Sequence, residues 1–396
     1  MAKNIVFCAD GTWNGPGEAD AKPAERHWTN VFKIFLNLAG SDSARTALFA
    51  DEQERELLVN GDLVQIAKYL HGVGDSDNFI VQALGGGLGE GLIARIVRGY
   101  TFVSRNYEAG DKIYLIGFSR GAYTARALAG LISAKGLLSP AIATDDDKKG
   151  AYRNGSAVWY QWRQEALDNN QGLLNHLQEF ARDLPHFLFE PPARTDLVPA
   201  PIEAIGVWDT VGALGVPEFD DHGEVVDAFR FADTKLSTNV KFGRHAISID
   251  EQRSNFTPTL WDADEQRIVQ VLFPGAHADV GGGYKTDESG LSDGALIWMT
   301  GQMKRLGVKF ADVPFVNATS NPISVEHQPW TQLPWIGLPS SPRKFPDPPG
   351  LHISQTVLDR IANAGLNPAY LPANLQRYLA DKAAAAGIVV VPLVDP

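Results

Sequence analysis

The sequence predicts an α/β fold built on one mainly parallel sheet with helices on both faces, and three observations predict it. Short apolar strand runs alternate with stretches at helical spacing along the chain. Turn clusters rich in Gly, Asp and His follow those runs, at the strand ends where open α/β sheets gather their ligand sites. The third observation is the stretch Asp111 to Gly130, which combines an apolar strand, a Gly117-Phe118-Ser119-Arg120-Gly121 turn and an alanine-rich helix. That combination is the nucleophile elbow of an α/β-hydrolase, a strained strand-to-helix turn that presents a serine hydroxyl. Ile113, Leu115 and Ile116 supply the strand, and Ala122 to Ile132 has high helix propensity. Gly117 and Gly121 are required because a side chain at either would clash with backbone packed beneath the turn.

The 396 residues can hold one large α/β domain. A catalytic domain is expected over 1–312, with a helical insertion at 140–200. A proline-rich extension with short helices is expected over 313–396, packed on the same domain. A net charge of −12 argues against a nucleic-acid partner. Cys8 is the single cysteine, so no internal disulfide can form. The first residues do not resemble a signal peptide, and no run approaches the roughly 18 apolar residues of a spanning helix. The expectation is a cytoplasmic protein, or one secreted by a non-classical route.

In chain order, Asn4 to Ala9 is a buried-strand run ending in the turn cluster Asp10-Gly11-Thr12-Trp13-Asn14. Thr29 caps a helix with apolar positions Val31, Phe32, Phe35, Leu36 and Leu38. Residues 41–61 are polar and are expected to be loop with at most one helical turn. Leu63 to Leu70 is a strand. The glycines of Gly85 to Gly91 open a helix at Leu92 to Tyr107. Such a loop can cradle phosphate, but it fits no nucleotide fingerprint, and close packing explains it as well. The charge run Thr144 to Gly150 marks the insertion, whose aromatics (Trp159, Tyr160, Trp162) suit either core or a lid. Pro201 to Asp209 returns to strand. A helix is expected over 234–248, carrying His245. Arg267 to Phe273 is a strand broken at Pro274-Gly275, Ser292 to Leu306 a helix, and two short helices close the chain near 354–364 and 372–386.

A serine nucleophile needs a base, and the base needs an orienting carboxylate. In α/β-hydrolases these follow in the order Ser, Asp/Glu, His, each after a strand. Ser119, Asp209 and His277 meet those conditions. His245 competes with His277 but is expected on a helix. Asp10, Asp250 and Asp279 compete with Asp209. Asp10 precedes the serine, and Asp279 is too near His277 in sequence to reach the same ring; its alternative task is to satisfy the amides of the glycine loop. The oxyanion donors are expected from Arg120 and from Gly11 or Thr12. The Arg120 side chain can meet an anionic substrate group or pair with Asp10. Asp10, Trp13 and His245 are expected to contact substrate. No cofactor or metal is called for.

Four blocks carry a resemblance: Asp10-Gly11-Thr12-Trp13-Asn14, Gly117 to Arg126, Trp208-Asp209-Thr210-Val211-Gly212, and Pro274 to Gly283. Together they resemble the type VI secretion phospholipase effector family, an α/β-hydrolase family. The resemblance implies a Ser-Asp-His lipase or esterase with Ser119, Asp209 and His277 in those roles, and the family's substrates are glycerophospholipid acyl esters. The expected partner is thus an acyl ester, lipids included, with transient contact at a membrane surface. Thioester or carbohydrate acetyl-ester hydrolysis, and a catalytically silent binding module, are the alternatives.

Overall fold

Strands β1 (Asn4–Ala9), β2 (Ser41–Asp42), β3 (Glu52–Val59), β4 (Asp62–Leu70), β5 (Lys112–Phe118), β6 (Ile202–Trp208), β7 (Val240–Ser248), β8 (Ile268–Phe273), β9 (His352–Ser354) and β10 (Val390–Val391) form one sheet. Their order across it is β10-β9-β8-β7-β6-β5-β1-β4-β3-β2. This is a computed structural model that describes residues 2–11, 25–43, 52–72, 88–144, 146–168, 196–212, 218–219, 225–226, 234–346, 350–375 and 389–394. From β4 to β10 every pairing is parallel; β3 and β2 add an antiparallel edge.

The parallel strands are near-continuous apolar runs because helices cover both faces. On one face pack α2 (Leu88–Asn106), α3 (Arg120–Lys135) and α4 (Lys148–Asp168), burying Phe7, Tyr100, Leu128 and Trp159. On the other lie α1 (Asn30–Asn37) and α6 (Gly290–Arg305), with Phe35, Trp298 and Met299 against Val6 and Ile116. Fully enclosing a Phe such as Phe7 or Phe35 stabilises these layers by about 1.5–3 kcal/mol each. A smaller cluster joins Ile247 and Leu272 to Phe345, Ile353 and Val357, the last on α7 (Gln355–Ala362). In the expected insertion, Trp159 is enclosed against this face and meets Trp162 edge-on. Its remainder, 169–195, lies outside the described residues, as do the Gly85–Gly87 part of the glycine loop and most of the 372–386 segment.

Two expectations are corrected. The polar stretch 41–61 contains β2 and β3 rather than a loop. Hydropathy hides β3 because its inward positions are glutamates: Glu52 and Glu54 are buried and neutralised by Lys68 of β4, with Arg105 also on Glu54. The β3–β4 hairpin turns at Asn60-Gly61, both at positive φ (55° and 88°), as a tight two-residue turn requires. The second correction concerns 234–248, where the structure has a strand from Val240 to Ser248 and no helix. Val240, Phe242 and Ile247 favour extended backbone, and ladders to β6 and β8 satisfy the strand on both sides.

The register brings the strand ends level. Ala9 pairs with Leu70 and Gly117, Phe118 with Trp208, Ala246 with Trp208, and Ser248 with Phe273. The segments following β1, β5, β6, β7 and β8 therefore emerge along one rim. None of the described helices is long and apolar enough to cross a membrane.

Candidate active site

Ser119 sits between β5 and α3 at φ 57°, ψ −124°, a combination costly for any residue with a side chain. The surrounding backbone imposes it. A Cβ on Gly117 would lie 2.3 Å from the Gly121 carbonyl oxygen, and one on Gly121 would lie 2.1 Å from that of Ala9. Only glycine at both positions lets α3 begin directly over the ends of β1 and β5. The Ser119 amide donates to the Trp208 carbonyl (3.1 Å), which ties the turn to β6.

Asp209 follows β6 at φ 38°, and its amide donates to the Ala246 carbonyl at 2.7 Å. His277 opens α5 (His277–Gly281), after the Pro274-Gly275 turn that ends β8. The fold brings these three together. His277 Nε2 lies 2.8 Å from Ser119 Oγ, and His277 Nδ1 lies 2.5 Å from Asp209 Oδ2. Burial pushes the Asp209 carboxyl up, but the Arg343 guanidinium and the His277 ring more than offset this and hold it well below the usual carboxylate range. The carboxylate is therefore ionised and only accepts, so Nδ1 of His277 carries the proton and donates to it. Burial pulls the His277 ring below its ordinary value despite Asp209. The resting imidazole is neutral, and its Nε2 lone pair accepts from the serine hydroxyl.

The ring is held by a second layer. Phe118 and Phe256 pack on it with centroids at 4.6 and 4.9 Å. The His277 amide donates to Glu251 Oε2 (3.2 Å), and Glu251 is itself gripped by Arg253 through two 2.8 Å bonds. Asp279 Oδ2 accepts the Ala276 amide at 2.9 Å and the His327 amide at 3.0 Å, which fastens the start of α5. Asp250, another competitor, accepts the Gly275 amide (2.7 Å) and the Tyr370 hydroxyl (2.7 Å).

Two residues expected to meet substrate are enclosed instead. His245 on β7 is fully buried, and its Nε2 accepts the Thr210 amide at 3.1 Å, steadying the backbone just past Asp209. Burial, with help from nearby Arg126, lowers it to about 3, so it stays neutral. Asp10 is also fully buried and accepts Tyr69 Oη (2.6 Å), Thr29 Oγ1 (2.7 Å) and the Gly11 amide (2.7 Å). The Gly11 amide, expected as an oxyanion donor, is engaged by its neighbour's carboxylate. Thr12 and Trp13 lie outside the described residues. The Arg120 amide opens α3, at the helix end whose dipole favours negative charge. Burial and the nearby Arg95 lower the Arg120 guanidinium to about 9, which leaves it cationic at neutral pH.

Sequence reasoning missed Arg343, the Glu251–Arg253 pair, Phe256 and His327. Arg343 meets Asp209 with both terminal guanidinium nitrogens (2.6 and 2.9 Å) across a separation of 134 residues. Nothing in its proline-rich surroundings signals that contact. The Glu251-Gln252-Arg253 spacing, which sets opposite charges two residues apart, is the one local cue.

The family described as "T6SS, Phospholipase effector Tle1-like, catalytic domain" matches residues 3–302. An uncharacterized protein of Saccharomyces cerevisiae, YEL023C, is 27% identical over 254 residues, which is 64% of this chain and 32% of that protein. The chain thus aligns with about a third of that relative's length. Among solved structures, an uncharacterized protein from Pseudomonas aeruginosa is similar with a TM-score of 0.42 and 18% identity, covering 78% of this chain and 46% of the other. A Tle1 effector bound to the VgrG spike of the type 6 secretion system is similar with a TM-score of 0.36 and 18% identity, covering 72% of this chain and 52% of the other.

Proposed function

Because the chain belongs to the Tle1-like phospholipase effector family through its catalytic domain, we propose that it hydrolyses carboxylic acyl esters of lipids with Ser119 as nucleophile. The observation that carries the reading is the continuous relay from Ser119 Oγ through His277 to Asp209, at 2.8 and 2.5 Å. As Ser119 Oγ forms its bond to the acyl carbon, its proton passes to His277 Nε2, and Asp209 stabilises the imidazolium that results. The carbonyl oxygen takes up the displaced electron pair, and the Arg120 amide is one donor to it. Collapse of the tetrahedral intermediate breaks the ester C–O bond, and the departing alkoxide takes the proton from Nε2. A water then repeats the sequence on the acyl-enzyme: it gives its proton to Nε2, and Ser119 Oγ receives that proton as the fatty acid leaves. The family's type VI secretion setting makes delivery by that machinery part of the proposal.

The test is labelling by a fluorophosphonate probe, followed by turnover of phospholipids and of short- and long-chain nitrophenyl esters. Wild type is expected to label and turn over, and Ser119→Ala to lose labelling and on the order of 10⁴-fold or more in kcat. No labelling and no turnover by the wild-type chain would sink the reading. Turnover confined to short acyl chains would keep the chemistry and remove the lipid.

A further inference from the structure

The proposed machinery lies within the residues that match the catalytic family, yet Asp209 is held from outside them. We infer that Arg343, beyond residue 302, is a positioning residue for the proposed hydrolysis: its guanidinium grips both oxygens of Asp209 and so fixes the plane in which that carboxylate meets His277. This inference rests on the hydrolase reading above.

A carboxylate on a single Cα–Cβ stem can rotate, and each oxygen needs donors when water is excluded. Asp209 is fully buried. Its Oδ2 receives the His277 Nδ1 proton at 2.5 Å and Arg343 Nη2 at 2.9 Å. Its Oδ1 receives the Ser248 amide at 3.0 Å and Arg343 Nη1 at 2.6 Å. The planar fork of an arginine matches both oxygens at once, so it sets the tilt of the carboxylate as well as its distance. Without Arg343, Oδ1 would keep one donor and the group could swing about its stem. The φ of 38° at Asp209 also needs surroundings that hold it, and the fork contributes to that hold.

Arg343 is itself immobilised. Nη1 donates to the Ser248 carbonyl and hydroxyl, each at 2.8 Å, and Nη2 donates to the Phe256 carbonyl. Its segment is pinned along the loop after β7: the Ser341 amide donates to the Gln252 carbonyl at 2.7 Å, and Phe345 packs with Ile247 and Ile249. The same extension reaches the other side of the site, where His327 Nδ1 lies 2.7 Å from Asp279 Oδ1 and its ring stacks on Tyr284. The proline-rich extension therefore contributes a part of the site, although it appears in sequence as a surface wrapping. The hydrogen bonds of Arg343 go to Asp209, Ser248 and Phe256, so its action on the ring runs through Asp209.

The test compares Arg343→Met and Arg343→Lys with wild type on the full chain, using a phospholipid ester and a nitrophenyl ester, with thermal unfolding as a check on folding. In Arg343→Met, kcat is expected to fall about 10²-fold with KM within about twofold, since a misplaced orienter weakens the transition state and not the ground state. The charges facing His277 are Asp209, Glu251 and Arg253, with Arg343 behind Asp209. Losing the Arg343 cation stabilises the imidazolium, so the acid limb of kcat/KM should move up by about one pH unit. Arg343→Lys should retain the acid limb and recover only part of kcat, because it keeps the charge and lacks the fork. A purely structural role would change the folded fraction and leave the acid limb in place, and that outcome overturns the inference. So does a folded variant with wild-type kcat. The downfield Nδ1–H proton resonance of His277 gives a readout without substrate: it should weaken or shift in Arg343→Met, and an unchanged signal in a folded variant also overturns the inference. If wild type neither labels nor turns over, the hydrolase reading fails, and the resonance still decides whether Arg343 orients the pair.

Discussion

Asp10 and Asp209 are two carboxylates in matching places with opposite chemistry. Each stands just past the carboxyl end of a parallel strand in the same sheet, and each is fully buried. Asp10 is surrounded by neutral donors: a tyrosine hydroxyl, a threonine hydroxyl and one amide. The nearby Arg95 donates to the backbone oxygen of Asp10 at 2.6 Å. Burial dominates there and pushes Asp10 up to about 6, its hydrogen bonds only trimming the rise. Asp209 is penalised by the same burial, but a bidentate arginine and an imidazole hold it well below the usual range. At these two sites the difference is the cation bonded to the carboxylate itself: Arg343 grips Asp209, whereas the donors on the Asp10 carboxylate are neutral and do not outweigh its burial. Only a permanent anion can orient a base and stabilise its protonated form.

The largest expected effect breaks the pair apart by substitution. Asp209→Asn places an amide where His277 Nδ1 donates, which favours the wrong tautomer and should cost on the order of 10⁴-fold in kcat. Asp10→Asn should leave kcat within about tenfold, because Asp10 supports the backbone after β1 and touches no reacting group. Steady-state kinetics on one nitrophenyl ester measures both. Equal losses in the two variants would dissolve the distinction.

A smaller effect lies in how stability depends on pH. The folded value of Asp10, about 6, stands above the ordinary carboxylate value, so the folded state binds the proton more tightly than the unfolded chain. The stability this provides is full below pH about 4 and is lost as pH rises to about 6, a change on the order of 3 kcal/mol. Asp209 has the opposite sign: its depressed value gives stability present above the unfolded value and lost as pH falls further. Asp10→Asn should therefore gain on wild type between pH 4 and 7 in urea unfolding. A constant gap between the two proteins across that range would show that Asp10 does not titrate there.

The features that sequence made legible are those with local causes. The strained turn at Ser119 is readable because its glycines are demanded by backbone within a few residues and by β1 alongside, as the 2.3 and 2.1 Å approaches show. Asp209 and His277 are readable as side chains because each follows an apolar strand run in a fixed order, and the fold brings His277 within reach of Ser119 and Asp209 within reach of His277. Elements whose apolar pattern is replaced by charge were not legible. β3 hides behind buried glutamates whose partners lie on β4 and α2, although Asn60-Gly61 marks its turn. His245 was misplaced because the run around it carries no decisive periodicity, and pairing on both sides settles its conformation. Arg343 is the extreme case: its importance is a contact made only after folding, from a segment whose prolines mark it as extended and nothing more.

The smallest effect sharpens the comparison from the side of Asp10. In Tyr69→Phe the ring is kept, and with it the packing on Phe32 and Phe35 at 4.8 and 5.5 Å between centroids. Only the hydroxyl that donates to Asp10 Oδ2 is lost. Because that bond favours the ionised carboxyl, its loss should raise Asp10 further and destabilise the fold by about 1–3 kcal/mol where Asp10 is charged. Below pH about 6 the carboxyl is protonated, the lost bond is one between neutral groups, and the cost should shrink toward about 1 kcal/mol. Urea unfolding at pH 5 and pH 7.5 separates the two values, with kcat expected within about twofold of wild type. The same loss at both pH values would mean that Asp10 keeps one protonation state throughout, and its contrast with Asp209 would then lie in hydrogen bonding rather than in charge.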